Sequence, residues 1–432
     1  MGCCGVARIT DPETYLRLAC ERLLIGQNGG RQDTAEAGVI SRVCVAAGAL
    51  DQVTSLGVLD EYRFAMALRD QHWQHMRMHR RSMAPRERQR LTAQRVAVGI
   101  PKFERDGQQW FLEKLLFADD GTHLDMSGTD PEDALANPRR RGGFVRRAQG
   151  SMPHHPFPQT IVLKDDQGTT ATAHSGSGGW GGDTWQTSYH SGVSLSSDTR
   201  WIEIDGTRID LPEWRPAPVV HVEEIEEMDP IRAMLYGEIL SVDRRHGGGV
   251  DVVEIACQAF VAIGALEEDD PLLPEIRRIA GAVASGSPTP GLSEPWASLL
   301  ARFSKADGPL GSVAIGSVID DLEGVSIRVD ALTSEPESFS ISLAMSPGDL
   351  LLRHLPGADR DPPLIVWWAE DDRNNAYVAF EDSVQGRDTL AEGQLTSLAP
   401  LDPKATELRL LPTGSRRRGV ITVPLAALTD RP

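Results

Sequence analysis

The hexapeptide Val45-Ala-Ala-Gly-Ala-Leu50 returns almost unchanged as Val261-Ala-Ile-Gly-Ala-Leu266 in the second half of the chain. Shorter matches follow the same order at a spacing of about 217 residues, and ordered self-similarity at one spacing is the signature of an internal repeat. They pair Asp11-Pro12 with Asp229-Pro230, Gly29-Gly30 with Gly247-Gly248, and Val96-Ala-Val-Gly99 with Val313-Ala-Ile-Gly316. The sequence therefore predicts a tandem duplication with its boundary near residue 215.

Each half begins with helical periodicity and continues with short strands. Asp11 suits a helix N-cap with Pro12 at the first helical position, and apolar residues recur at helical spacing to about residue 70. From residue 95, short apolar runs alternate with Gly-rich turns and leave no room for helical crossovers. We therefore expect an α+β protein, a tandem duplication in which each half is a small helical bundle followed by an antiparallel immunoglobulin-like β-sandwich. The expected segments are helical bundles at 11–70 and 229–285, sandwiches at 95–212 and 310–427, a basic linker at 71–94, an acidic linker at 213–228 and a further linker at 286–309.

Four segments add a family resemblance. They are Val45-Ala-Ala-Gly-Ala-Leu50, Leu59-Asp-Glu-Tyr-Arg-Phe-Ala-Met-Ala-Leu68, Trp367-Trp-Ala-Glu-Asp-Asp-Arg373 and Leu401-Asp-Pro-Lys-Ala-Thr406. Together they resemble uncharacterised actinobacterial proteins that pair a helical module with an immunoglobulin-like β-sandwich. The resemblance implies that architecture and brings no activity with it.

The composition excludes several classes of protein. Hydrophobic residues make up 40% and charged residues 25% of the chain, which is typical of a globular protein. No apolar run approaches the ~20 residues that a membrane-spanning helix requires, so we expect no membrane partner. The five cysteines are scattered without a Cys-x-x-Cys pair, which favours a reducing compartment and a cytoplasmic location.

Charge is divided unevenly between the halves. Residues 1–212 carry 25 Lys and Arg against 26 Asp and Glu, whereas residues 213–432 carry 19 against 36. The candidate partner-binding residues in the first half are Arg77, Arg80, Arg81, Arg86, Arg88, Arg90, Arg139, Arg140 and Arg141. Three interpretations stay open: solvated linkers, docking on acidic residues such as Glu223 and Glu224 within or between chains, and binding of nucleic-acid phosphates through 69–95 and 139–147.

Two other motifs suggest binding sites. His72, His75 and His79 would share one helix face and are weak candidates for a transition-metal site, with a solvated linker as the alternative. The Gly/Trp-rich loop 175–190 offers Trp180, Trp185 and Tyr189, beside His190, as a ligand platform. Its G-x-G-x-x-G pattern opens no helix, so we predict a flexible hairpin loop and no dinucleotide site.

A pair of Asp-Asp motifs, Asp165-Asp166 and Asp371-Asp372, precedes turn-forming residues in both halves. Hairpin turns explain this arrangement without a calcium ion.

No set of catalytic residue types recurs in both halves, so we assign no catalytic residue and no cofactor. The leading hypothesis is a non-enzymatic protein-protein interaction or scaffold protein acting as an internally duplicated pseudo-dimer. The alternatives are nucleic-acid binding through 69–95 and 139–147, and ligand binding at 175–190; self-association and catalysis in one half also stay open.

Overall fold

The computed structural model of the chain describes residues 11–25, 31–51, 54–55, 57–59, 61, 90–98, 100, 103–105, 108–129, 158–181, 184–213, 215–227, 229–240, 250–286, 289–303, 305–347, 365–387, 390–397 and 399–428. Within them the helices are α1 (Pro12–Ile25), α2 (Arg31–Ala46), α3 (Pro230–Leu240), α4 (Val250–Ala262), α5 (Leu272–Ser285) and α6 (Trp296–Ala301), with a 3-10 turn at Leu425–Ala427. None of these described helices has both the length and the apolar character to cross a membrane.

Helix starts follow the capping residues expected from the sequence. The Asp11 carboxylate accepts a hydrogen bond from the Glu13 amide at 3.2 Å, and the Asp229 carboxylate accepts one from the Ile231 amide at 3.1 Å. A proline follows each aspartate at the first helical position, where its missing N–H costs nothing. The predicted N-cap at Asp11 is therefore confirmed, and Asp229 caps its helix in the same way.

The described helices share one hydrophobic core. Leu16 of α1, Val43 of α2, Phe260 of α4 and Ile279 of α5 are all fully buried in it, together with Val378 of the second sheet. Helix α2 packs directly on α4, so the apolar faces from the two halves of the chain bury each other. The prediction of two separate helical bundles is therefore wrong.

The strands form two antiparallel sheets. The first contains β1 (Arg95–Val98), β2 (Phe103–Arg105), β3 (Gln108–Ala118), β4 (Gly121–Thr129), β5 (Thr160–Asp165), β6 (Thr170–Gly181), β7 (Thr184–Ser191), β8 (Trp201–Ile204) and β9 (Thr207–Asp210). Its order is β1-β3-β4-β7-β6-β5-β8-β9, with β2 also paired to β3.

The second sheet contains β10 (Val220–Glu224), β11 (Gly311–Leu322), β12 (Val325–Ser334), β13 (Phe339–Ser346), β14 (Val366–Asp371), β15 (Ala376–Arg387), β16 (Leu390–Ser397), β17 (Glu407–Thr413) and β18 (Arg417–Pro424). Its order is β10-β18-β17-β14-β15-β16-β13-β12-β11.

Alternating burial along the strands makes each sheet curl around its own core. In β5, Ile161 and Leu163 are buried whereas Val162 between them is half exposed, which is the pattern of a strand with one apolar face. Side chains from β1 and from β3 to β9 meet in one cluster. In the second sheet the ends nearly meet, because the Ser317 hydroxyl on β11 donates to the Pro218 carbonyl, just before β10, at 3.0 Å.

The expected fold class is therefore wrong. The chain is mostly β, with two large curled antiparallel sheets and short helices that share one core. An immunoglobulin-like sandwich requires two separate sheets face to face, whereas the pairing of strands here continues unbroken through each set. The predicted duplication of a helical bundle plus a sandwich is not supported, because the described residues of neither half form such a bundle or such a sandwich.

The two sheets touch where β1 and β3 meet β11 and β12. Val96, Val98 and Leu116 of the first sheet form a small apolar cluster with Ala331 of the second. Gly316 lies against Val96, where an added Cβ would come within 3.3 Å of the valine methyl carbon. This junction holds the β3–β4 hairpin beside the second sheet.

Candidate metal-binding site

The β3–β4 hairpin turns through Asp119 and Asp120 and reaches Gly121, which pairs with Ala118. Gly121 has a φ of +143°, and a Cβ at this position would fall on the carbonyl oxygen of Ser191 at the end of β7. Only glycine permits this conformation and this approach together. The turn is therefore held tightly against β7.

Two histidines face each other beside this turn. His123 on β4 and His190 on β7 are direct partners in the strand register, and their ring centroids are 4.4 Å apart. Their strand neighbours Leu124 and Tyr189 are buried in the sheet core, so alternation directs both imidazoles to the outer face. His174 on β6, the partner of His190 on its other side, is also exposed and extends the row.

Asp120 completes a group of three metal-binding side chains. Its carboxylate oxygen lies 3.3 Å from Nε2 of His123, and one ligand atom each from Asp120, His123 and His190 lie within 4.8 Å of one another. The hydrogen bond with His123 lowers the pKa of Asp120 against the opposing effect of burial, and the charges of His123 and Arg328 lower it further. The carboxylate is therefore ionised at neutral pH, as a metal ligand must be.

Two imidazoles and one carboxylate are a donor set that first-row divalent transition metals accept. Ligand atoms around a four-coordinate ion at 2.0–2.2 Å lie about 3.3 Å from each other. The ligand atoms of Asp120, His123 and His190 lie within 4.8 Å of one another, so each pair must approach by at most about 1.5 Å to reach that spacing. Three protein ligands leave a coordination position open.

Buried ion pairs connect this face of the first sheet to the second. Lys114 on β3 contacts Asp125 on β4 at 2.8 Å and Asp330 on β12 at 3.0 Å. Arg328 contacts Asp330 at 2.7 Å and Glu392 on β16 at 3.0 Å. Burial opposes the charge on Lys114, but the carboxylates of Asp125 and Asp330 outweigh it and raise the pKa of the ammonium group.

Burial would also favour the neutral form of Asp330, but the charges of Arg328 and Lys114 lower its pKa instead. The charged forms of Lys114 and Asp330 are thus favoured inside the protein, and their ion pair fixes the second sheet against the face that carries the histidines.

The site expected from the sequence lies largely outside the described residues. This applies to His72, His75 and His79, to Arg77, Arg80, Arg81, Arg86 and Arg88, and to Arg139, Arg140 and Arg141. Arg90 is described and exposed. Arg95, at the end of the proposed nucleic-acid segment, is buried and donates to the carbonyls of Ser197 and Pro212 at 3.0 and 2.8 Å.

The Gly/Trp-rich segment is a hairpin of two long strands, β6 and β7, and the predicted flexible loop is wrong over most of its length. Trp180 and Trp185 are register partners near its tip. Tyr189 is buried, and its hydroxyl donates to the Pro158 carbonyl at 2.6 Å. Its ring belongs to the core and is not exposed to a ligand.

The Asp-Asp motifs form hairpin turns, as predicted. Asp165 accepts hydrogen bonds from the amides of Gln167 and Thr169 at 3.1 and 2.7 Å. Asp371 accepts from the amides of Arg373 and Asn375, both at 2.9 Å. These carboxylates satisfy turn amides and need no cation.

Sequence reasoning missed Asp120 and His123 and placed His190 beside a ligand loop. The available signal was an Asp-Gly turn followed two residues later by a histidine, with a second histidine in a later strand. That signal becomes specific only when the pairing of β4 with β7 is known.

Comparison with known proteins adds no family. No protein-family model matches the chain, and no curated protein matches its sequence. A solved structure, the conserved domain protein from Bacillus anthracis, aligns with 78% of this chain and 91% of its own chain at 8% identity and a TM-score of 0.18. Similarity at that level supports no inference about fold or function.

Proposed function

We propose that this protein is a non-enzymatic binding protein that holds one divalent transition-metal ion between Asp120, His123 and His190. The observation that supports the proposal is the convergence of one carboxylate oxygen and two imidazole nitrogens within 4.8 Å. The ionised state of Asp120 and the open outer face of β4 and β7 agree with it.

The surrounding charge also favours a cation. Among the residues that the structure describes, five carboxylates and three cations lie at or near this junction: Asp119, Asp120, Asp125, Asp330 and Glu392 against Arg90, Lys114 and Arg328. An excess of negative charge in a partly desolvated region attracts a divalent ion.

Calorimetric titration of the untagged, chelator-treated full chain with Zn²⁺, Ni²⁺ and Co²⁺ tests the proposal. We expect one equivalent of metal to bind, and we expect His123→Ala and His190→Ala each to weaken binding at least about tenfold, since even residues that only orient ligands have effects of that size. His221→Ala, which removes an exposed histidine on β10, is the matched control and leaves the affinity unchanged.

A second variant separates this site from the one that the sequence suggested. If H72A/H75A/H79A abolishes binding while His123→Ala and His190→Ala do not, the ion belongs to the segment around residue 75 and the proposal is wrong. Loss of binding in the β4 and β7 variants alone supports it.

The interaction role expected from the sequence is a second proposal. It is favoured by consecutive exposed acidic side chains at Glu267, Glu268 and Asp269, between α4 and α5. A protein partner held by this surface would be basic, and its binding would weaken as salt is raised. Co-purification at low and high salt, with E267Q/E268Q/D269N as the variant, tests the role; retention unaffected by both contradicts it.

A further inference from the structure

A cavity of about 220 Å³ adjoins the proposed metal site. It is lined by Arg90, Leu91, Thr92, Asp119, Asp120 and Arg328. Asp120 thus belongs both to the cavity wall and to the group with His123 and His190. A metal ion bound there would lie at the edge of the cavity.

The wall of the cavity is fixed. The Asp119 amide donates to the Thr92 hydroxyl at 2.9 Å, and the Gln94 side-chain amide donates to the Asp119 carboxylate at 2.8 Å. These bonds tie the β3–β4 turn to the segment that leads into β1. The turn that carries Asp120 is therefore held beside the segment 90–94.

Two guanidinium groups line the same cavity. Arg328 is buried, and its ion pairs with Asp330 and Glu392 hold it in place. Arg90 also lines the cavity and is exposed. Guanidinium groups match the planar and tetrahedral oxygen arrangements of carboxylates and phosphates better than other cationic side chains do.

We propose that the open coordination position of the metal takes an oxygen of a small oxyanion, a carboxylate or a phosphate, whose remaining oxygens face Arg90 and Arg328. This proposal rests on the metal-binding function proposed above. The metal supplies the attraction that the local excess of carboxylates would otherwise oppose, so oxyanion binding depends on the metal.

The volume limits the size of the ligand. Pockets for drug-sized molecules measure ~300–1,000 Å³, and a cavity of about 220 Å³ is smaller. Inorganic phosphate or a short-chain carboxylate fits this space.

Optical spectroscopy of the Co²⁺-loaded full chain tests the proposal, because the visible absorption of Co²⁺ changes when an inner ligand is exchanged. Inorganic phosphate, succinate and chloride are titrated separately at constant ionic strength. We expect a saturable change with phosphate or succinate and none with chloride. The first two arms distinguish a phosphate ligand from a carboxylate.

Substitutions at Arg90 and Arg328 test whether the oxyanion binds in the cavity. We expect Arg90→Ala to weaken oxyanion binding about tenfold, the size of one charged hydrogen bond, while Co²⁺ still binds at least as tightly as to the wild-type chain because a nearby cation has been removed. Arg208→Ala, which removes an exposed arginine on β9, is the control and has no effect. Arg328→Lys, checked for folding by circular dichroism, keeps a positive charge but loses the paired nitrogens and weakens oxyanion binding as well.

The outcomes separate the two proposals. Co²⁺ binding without any response to phosphate or succinate overturns the oxyanion proposal and leaves the metal site intact. An equal response in Arg90→Ala and the wild-type chain overturns the role of the cavity. If Co²⁺ does not bind, or if its binding is unaffected by His123→Ala, both the metal-site proposal and the oxyanion proposal are wrong.

Discussion

Lys114 on β3 and Asp330 on β12 form an ion pair of 3.0 Å across the junction of the two sheets. Asp330 is 1% exposed and also accepts from Arg328, so one buried carboxylate contacts two cations, each of which has a second carboxylate partner. A buried ion pair adds little to stability when complete but is costly to break, because the remaining charge stays buried without its partner.

We therefore expect Asp330→Asn to lower the free energy of unfolding by about 3 kcal/mol. Asp210→Asn is the matched control, because Asp210 forms an exposed pair with Arg208 on β9. Breaking an exposed pair costs at most about 1 kcal/mol. Urea denaturation of both variants measures the difference, and equal losses would show that the Lys114–Asp330 contact contributes nothing to the junction.

Gly121→Ala is expected to damage both stability and metal binding. The substitution combines an unfavourable φ of +143° with a clash against the Ser191 carbonyl, so the hairpin must move away from β7. We expect a loss of at least about 2 kcal/mol, the sum of backbone strain and displacement, and weaker metal binding because Asp120 moves with the turn.

Gly168→Ala provides the control for the conformational part of this loss. Gly168 has a φ of +86° in the β5–β6 turn, but an added Cβ there meets no atom within 4 Å. We expect a loss of about 1 kcal/mol with unchanged metal affinity. If the two variants lose the same stability and both bind metal normally, the close approach of the hairpin to β7 has no part in the site.

Local elements were predictable from the sequence, because their causes lie within a few residues. Asp11 and Asp229 cap helices through their own following amides, and Asp165 binds its own turn. Helix α4 lies within 229–285, where helical residues were expected, because its apolar residues recur with helical period.

The curvature of the sheets and the metal-binding group were not predictable in the same way. Short strands at regular spacing occur in sandwiches and in curled sheets alike, so the sequence does not distinguish them. His123 and His190 meet because β7 pairs with β4 and not with its neighbour in the chain. Such long-range pairing depends on the packing of the whole sheet.

Acid is expected to weaken the contact between two hairpin tips in the second sheet. Glu323 accepts hydrogen bonds from the amides of Arg416 and Arg417 at 2.6 and 2.8 Å and from the Ser415 hydroxyl at 2.7 Å. Burial alone would raise the pKa of Glu323, but these donors outweigh it and lower the pKa below its ordinary value of 4.5.

The stability from Glu323 is therefore fully present above pH 4.5 and is lost as pH falls through the lowered pKa. Glu323→Gln should cost about 2 kcal/mol at pH 7, and this difference from wild type should shrink in acid. Glu337→Gln, at an exposed glutamate of the β12–β13 turn, is the control and costs almost nothing. A difference for Glu323→Gln that stays constant from pH 7 to pH 3 contradicts the assignment.

Alkaline pH should act on the helical core through its thiols. Cys44 on α2 and Cys257 on α4 are buried, and burial raises the pKa of each from 9.0 to about 11. Between pH 9 and 11 the unfolded chain loses these protons while the folded protein keeps them, so the free energy of unfolding falls by up to about 2 kcal/mol per thiol.

The variant C44A/C257A lacks this loss while retaining the titration of every tyrosine and lysine. Under reducing conditions it should be less stable than wild type at pH 7, by about 1 kcal/mol per small cavity, and should approach wild type as pH rises above 9. A gap that is the same at pH 8 and pH 10.5 would mean that neither thiol is shielded from water in the shared core.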